Sequence, residues 1–280
     1  MREVAIIGAG ELGGALAHVL AARDVARRIR LVDESGRIAE GKALDIAQAA
    51  PVQGFAATVD GSANLADAAA AAIVVLADRA GGAEWQADEG LLLLKRIVQA
   101  NPRALLICAG ALQRELVDRG PVDAGCVRER LFGTAPEAIR AAARAMVALE
   151  LNVSPRDIAL SVLGVPPAHL VIPWGEATIG GFALARMLDE PARRRLAFRI
   201  PALWPPGPVA LAHAACSVIE VIAGRSRRLA TCFVSPDRSA GVRTRTAALP
   251  VRLAAHGIVD VLMPSLSVVE QTALDNAMNL

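Results

Sequence analysis

Glu3-Val4-Ala5-Ile6-Ile7 runs straight into Gly8-Ala9-Gly10-Glu11-Leu12-Gly13, and this stretch decides the fold class. The first five residues are a mostly apolar run bounded by glycine, the pattern of a strand buried on both faces of a parallel sheet. The G-x-G-x-x-G that follows opens a segment in which Leu12, Leu16, Val19 and Leu20 recur at helical spacing. A second strand reads over Ile29 to Asp33, and Asp33 lies 20 residues beyond Gly13. Strand, glycine loop, helix, strand and a carboxylate at that distance make a dinucleotide-binding βαβ unit. Gly8 permits the tight turn, Gly10 lets a pyrophosphate approach the backbone, and Gly13 lets the helix pack closely on the strand. The free N–H groups of the helix N-terminus, at Glu11 and Leu12, attract the anion. An Asp33 carboxylate accepts from both ribose hydroxyls and repels a 2′-phosphate, so NAD is expected and NADP disfavoured. The expected cofactor-binding residues are therefore Gly8, Gly10, Glu11, Leu12, Gly13 and Asp33. A glycine turn in a domain that has lost its ligand is the competing reading.

Outward from this unit the alternation continues. A helical stretch over Ile38 to Ala49 is closed by Pro51, Ala71 to Ala77 is strand-like, Asp88 to Ala100 helical and Ala104 to Ala109 strand-like, with Asn101-Pro102 turning between the last two. Such alternation predicts right-handed crossovers and a doubly wound parallel sheet. Beyond Phe132-Gly133 the rhythm changes: a helix over Pro136 to Leu149, strands over Asp157 to Leu163 and Leu170 to Ile172, a long helix over Val209 to Ala223, and strands over Ala230 to Val234 and Ala248 to Leu253. Ser267-x-x-Glu270 is a capping box opening a last helix that runs to about Met278. The expectation is an α/β chain: a Rossmann domain over residues 1–132, then a mixed α+β domain over 133–280 with more antiparallel strands.

The 280 residues carry 30 basic and 28 acidic side chains, a net charge of +2 that exerts no global pull on nucleic acid or anionic membrane. Arg193-Arg194-Arg195 with Arg199 follows Asp189 and Glu190, has Leu196 and Phe198 interleaved, and reads as a solvated helix face. The longest apolar run, Ala68 to Ala77, is half a bilayer span, and Met1 to Val4 leads into the loop motif without signal-peptide features. Cys108, Cys126, Cys216 and Cys232 have neither CxxC nor metal spacing, so free thiols in a reducing cytoplasm are expected and no metal site.

Further blocks resemble the lactate/malate dehydrogenase family, especially its bacterial lactate-dehydrogenase-like malate dehydrogenases. They are Val4 to Gly14 with Leu16-Ala17-His18, Gly41-Lys42-Ala43-Leu44-Asp45-Ile46-Ala47-Gln48, Pro51 to Gly54, Leu106 to Cys108, Asn152-Val153-Ser154, Val162-Leu163-Gly164, Ala177 to Gly181, and Pro250 with His256 to Val259. The likeness runs through the whole chain in one order. It implies hydride transfer between NAD and the C2 of a small 2-hydroxy acid. That chemistry uses a His to shuttle the hydroxyl proton, an Asp to orient it, an Arg to clamp the substrate carboxylate and an Arg on a closing loop.

At the matching positions these groups are missing. Pro166 stands for the His, Ile139 for the Asp, Ala142 for the clamping Arg and Gln86 for a loop Arg, in a loop of Asp78 to Gln86 that is about two residues shorter than the family's; counting from Gly133 instead of Asn152 moves the Asp and clamp positions to Pro136 and Ile139, which fill neither role. The turn beside the nicotinamide becomes Gly110-Ala111-Leu112, and the substrate wall becomes Pro206-Gly207-Pro208. Asp78 puts a carboxylate where it would oppose a pyrophosphate. Arg140 and Arg144 flank Ala142, but side chains two residues apart on a helix point about 200° apart. The remaining catalytic candidates are Arg79, beside the ligand end of the sheet, and His169, three residues past Pro166. For Arg79 an ion pair with Asp78 or Glu84 is the competing reading. For His169 it is a plain surface or core imidazole, and for His213 a buried packing position.

The resemblance further implies a homodimer or homotetramer through the Ile38 to Ala49 helix, with Ala39, Ala43, Ile46 and Ala50 on one side; an ordinary core helix is the competing reading. The reading ranked first is a malate/lactate dehydrogenase-like, NAD-binding, homo-oligomeric pseudoenzyme. The alternative is an NAD-dependent oxidoreductase acting on malate, lactate or another hydroxy or carbonyl compound through a rebuilt site. A small-molecule ligand is compatible with either, and neither nucleic acid nor membrane is expected as a partner.

Overall fold

The computed structural model describes residue 1, residues 3–237 and residues 244–279. Strand β1 (Glu3–Ile7) forms where the apolar run predicts it, followed by α1 (Glu11–Ala22), β2 (Arg28–Val32) and α2 (Gly36–Gln53). Next come β3 (Thr58–Ser62), β4 (Ile73–Leu76), α3 (Ala87–Ala100), β5 (Leu105–Cys108), α4 (Arg114–Asp123) and β6 (Leu131–Gly133). These six strands are parallel in the order β3-β2-β1-β4-β5-β6. Strand order reverses between β1 and β4, so the crevice beyond their carboxyl ends is the switch point where such sheets bind ligands. The glycine loop and Asp78 both lie there.

The second half comprises α5 (Ala135–Leu151), β7 (Ile158–Ala159), β8 (Leu163–Val165), β9 (His169–Val171), β10 (Thr178–Ile179), β11 (Phe182–Ala183) and α6 (Glu190–Arg199). It ends with α7 (Pro208–Ile222), β12 (Ala230–Val234), β13 (Ala247–Ala254), β14 (Gly257–Val261) and α8 (Val268–Met278). Its strands pair antiparallel as expected, but most of them join the first sheet. β12 pairs with β6, β13 with β12, and β8, β9 and β14 extend the sheet from there. Only β11-β10-β7 stand apart.

One apolar core covers both faces of the large sheet, including β12, β13 and α7, while a second gathers Ile139, Val147, Val162, Ile172, Leu184 and Leu196 beneath α5 and α6. The division expected at Phe132-Gly133 thus falls on a strand through which the sheet continues, and the two cores separate within α5. No single helix among the described residues is long and apolar enough to cross a membrane.

Three expectations are corrected. Pro51 does not close α2, which runs on to Gln53 and ends at Gly54, in the left-handed region with φ 79°, whose N–H donates to the Ala50 carbonyl. A proline this close to the end costs one hydrogen bond on an exposed face and leaves little helix to disrupt. β3, α4, β6, β10, β11 and β14 are elements that the pattern does not announce. β3 is an edge strand with only Val59 buried, and α4 carries Gly120 and Pro121. The strand expected over Asp157 to Leu163 is split into β7 and β8, which belong to different sheets.

Candidate functional site

The chain leaves β1 through Gly8, whose φ of 116° favours glycine, and enters α1 with Gly10 at the N-cap and no side-chain cap of its own. The first N–H groups of such a helix have no intrahelical partner and carry the positive end of its dipole. Here they meet a carboxylate of the same chain. Asp78, just past β4 and 7% exposed, accepts from Leu12 N at 3.2 Å through Oδ2 and from Gly13 N at 2.9 Å through Oδ1. Its backbone carbonyl accepts from Gly10 N at 2.9 Å. Glu11 is exposed in the first turn of the helix.

Asp33 closes the other side of the loop. It is 5% exposed; Oδ2 accepts from Ala9 N and Ala80 N, both at 2.9 Å, and Oδ1 from Ser35 N at 2.8 Å. The carboxylate expected to receive a ribose instead ties β2, the glycine loop and the segment after β4 together. That segment is a tight hairpin: Arg79 N donates to the Ala83 carbonyl, Gly82 N to the Arg79 carbonyl, and Asp78 bridges Glu84. At its far end the Glu84 carboxylate accepts from Ala111 N at 3.0 Å and Leu112 N at 2.8 Å, in the turn after β5. Burial pushes the Glu84 carboxyl above its ordinary value; the N–H groups of Leu112 and Ala111 pull the other way, and the Asp78 charge adds to the rise. Gln113, 1% exposed, accepts from Gly110 N and donates to the Ala77 carbonyl, joining the turns after β5 and β4. Lys42 Nζ donates to the Gly10 carbonyl at 2.6 Å.

A cavity of about 430 Å³ lies beside this hairpin, with Leu12, Lys42, Asp78, Glu84, Pro206 and Leu211 in its wall. A second, of about 310 Å³, lies on the other side against Ile7, Asp33, Trp85, Leu93 and Arg96. Asp78, Ala80 to Gly82 and Glu84 of the hairpin line the first together with Gly10 and Glu11, and Trp85, just past the hairpin, lines the second. As they stand, the loop residues do not fit a dinucleotide, because the Leu12 N–H expected to hold a phosphate, and the Gly13 N–H next to it, are given to Asp78.

The residues that the resemblance assigns to the relay and clamp positions lie in or against packed structure. Ile139 is fully buried in the second core, Ala142 packs against that core, and Pro166 is buried in the turn between β8 and β9. Neither flanking arginine replaces the clamp. Arg140 donates to Glu137, itself held by Arg228 and Thr231 N, and Arg144 donates to the Pro155 carbonyl. Gln86 is the exposed N-cap of α3.

His169 is exposed at the start of β9 and lines neither cavity. Arg79 turns away from the loop: its guanidinium lies 4.0 Å over the Trp85 ring and pairs with Glu89, so the partner is neither Asp78 nor Glu84. His213 is exposed on α7, not packed in the core. His18 bonds Gln53, and His256 is exposed. Arg194 and Arg195 pair with Glu190 and Glu150 on a solvated face. Among the described residues no group of three His, Cys, Asp or Glu could hold a metal ion. Sequence reasoning missed Glu84 and Gln113, whose partners are backbone groups and leave no residue pattern; Lys42 stood within the Gly41 to Gln48 block without a role.

Residues 2–87 match the family model described as lactate/malate dehydrogenase, NAD binding domain. The whole chain is similar to the malate dehydrogenase of Thermomicrobium roseum, 27% identical over 99% of this chain and 95% of that one. It is also similar to that of Thioalkalivibrio sulfidiphilus, 28% identical over 99% and 96%. Among solved structures, malate dehydrogenase from Salinibacter ruber superimposes with a TM-score of 0.86 at 23% identity over 98% of this chain and 93% of that one. A lactate dehydrogenase from Cryptosporidium parvum does so with 0.86 at 21% over 99% and 95%.

Proposed function

The chain belongs to the lactate/malate dehydrogenase family, and from that premise we propose that it is a catalytically degenerate, homo-oligomeric member that no longer transfers hydride. The observation that carries this reading is the state of α5 and the β8–β9 turn. A buried isoleucine, an alanine and a buried proline are what the resemblance aligns with the orienting carboxylate, the substrate clamp and the proton shuttle. Acid–base help alone is worth about 10²–10⁴-fold, and such groups act as a unit, so losing all of them together is not offset by a neighbour. The rebuilt-site alternative has no support in the geometry, since Arg79 is committed to Trp85 and Glu89 and His169 faces solvent.

NAD is the cofactor that the family's domain and Asp33 favour over NADP, but Asp33 and the loop amides are engaged within the chain, so a dinucleotide must displace contacts to bind. Ala39, Ala43 and Ile46, expected on the subunit face of α2, are buried in the chain's own core, so the face we propose for the oligomer is the opposite one, where Ile38, Leu44 and Val52 are exposed. Light scattering on the eluting protein reads its mass, and a monomer would refute this part. The four unpaired, buried thiols fit the reducing cytoplasm.

The deciding experiment is NADH oxidation by purified protein with oxaloacetate, pyruvate and a panel of ketones and aldehydes. No turnover is expected. A rate within tenfold of the enzyme median of about 10 s⁻¹ on any of them would overturn the proposal.

A further inference from the structure

We infer that Asp78 is an internal competitor of the dinucleotide: its carboxylate occupies the anion site of the glycine loop, and a pyrophosphate enters only by expelling it. This goes beyond the loss of hydride transfer and rests on different residues. α1 begins at Gly10 without a side-chain cap, so its first turn offers unpaired N–H groups and the positive end of the dipole. These are the features by which helix N-termini hold phosphates. Asp78 Oδ2 and Oδ1 accept from Leu12 N and Gly13 N, which makes the chain's own carboxylate the anion at this site.

The Cβ side of Gly10 is occupied as well. A Cβ placed on Gly10 would fall 2.3 Å from both Cγ and Oδ2 of Asp78 and 2.5 Å from the Arg79 carbonyl oxygen. The absence of a side chain at Gly10, which would admit a pyrophosphate, here admits the hairpin.

Asp78 is also held where it is. Its carbonyl receives Gly10 N, the next turn is closed by Arg79 N on the Ala83 carbonyl, and Ala80 N is bound by Asp33. Glu84 anchors the opposite end of the hairpin on Ala111 N and Leu112 N. The hairpin therefore spans the crevice from the loop after β1 to the turn after β5, with a carboxylate on backbone amides at each end. Arg79 does not neutralise Asp78, being engaged with Trp85 and Glu89. An incoming pyrophosphate would meet like charge on the donors it needs, and its affinity would be reduced by the cost of displacing that charge.

Calorimetric titration of the full-length protein with NADH, and separately with ADP-ribose, decides the matter for the wild type, Asp78→Asn and Asp78→Ala. Asparagine keeps the size and one acceptor while removing the charge; thermal melting first establishes that each variant is folded. The wild type is expected to bind weakly or undetectably, and the folded variants about tenfold or more tightly. Equal affinity in wild type and variants overturns the inference, whether that affinity is micromolar or too weak to measure. The relay positions are untouched in these variants, so none should reduce oxaloacetate or pyruvate. Turnover in a variant would count against the proposed degeneracy and leave the competitor standing.

Discussion

At the scale of single residues, the site is governed by carboxylates that answer backbone amides. Asp33, Asp78 and Glu84 each accept from two or more N–H groups of other segments. This use of acidic residues leaves a pH signature at Glu84, whose carboxyl burial raises above its ordinary value. Below the ordinary value the folded and unfolded states are both protonated. Between the ordinary and the raised value the folded state keeps the proton and the unfolded state has lost it, so Glu84's contribution makes stability fall as pH rises through that window. Glu84→Gln removes the dependence. Urea midpoints of wild type and variant, followed from acid to neutral pH, should change their separation within that window; parallel curves would refute the assignment.

At the scale of elements, α5 shows why a relay carboxylate is not easily placed at Ile139. Its inward stripe of Ile139, Ala143 and Val147 packs into the apolar core beneath α6. Returning a carboxylate with Ile139→Asp places an uncompensated charge in a fully buried site, with a cost of about 3–5 kcal/mol. Chemical denaturation should show this loss, and the variant should remain inactive because Pro166 and Ala142 are unchanged. A destabilisation below about 1 kcal/mol would mean that the position is wet or already polar. The charged residues of the same helix serve structure: Glu137 joins Arg140, Arg228 and Thr231 N, tying α5 to β12 and to the connection between α7 and β12.

At the scale of the whole molecule, the large sheet joins the two halves of the chain. β6 pairs with β5 on one side and with β12 on the other, and α1 packs against α7. A fragment of residues 1–132 would expose the edge that β12 covers and the face of α1 that α7 covers. It is therefore expected to be unfolded or aggregated when expressed alone, although a Rossmann unit of that length is the size of an ordinary domain. Circular dichroism and sharp thermal unfolding of a monomeric fragment would show instead that the division near Phe132-Gly133 is a true domain boundary.

The sequence by itself determined the parallel strands β1, β2, β4 and β5, the glycine loop and the helices α1, α2 and α3 that flank the strands. These follow from local patterns: the buried run of β1, the helical spacing of α1 and the Ser267–Glu270 capping box, which is present as written. It also determined which side chains are absent, since Pro166, Ile139 and Ala142 cannot shuttle a proton or clamp a carboxylate wherever they lie. Only the tertiary structure decided what the remaining charged groups do. Asp78 lies 65 residues beyond Gly13 in the chain, and Glu84 27 residues before Ala111. Their partners are main-chain N–H groups, which every non-proline residue carries and no spacing reveals. Asp33 matched the ribose-binding pattern by position, yet it accepts from Ala9 N of the glycine loop, Ser35 N and Ala80 N of the hairpin. A carboxylate's role depends on which donors surround it, and those donors are assembled only when distant turns meet at one end of the sheet.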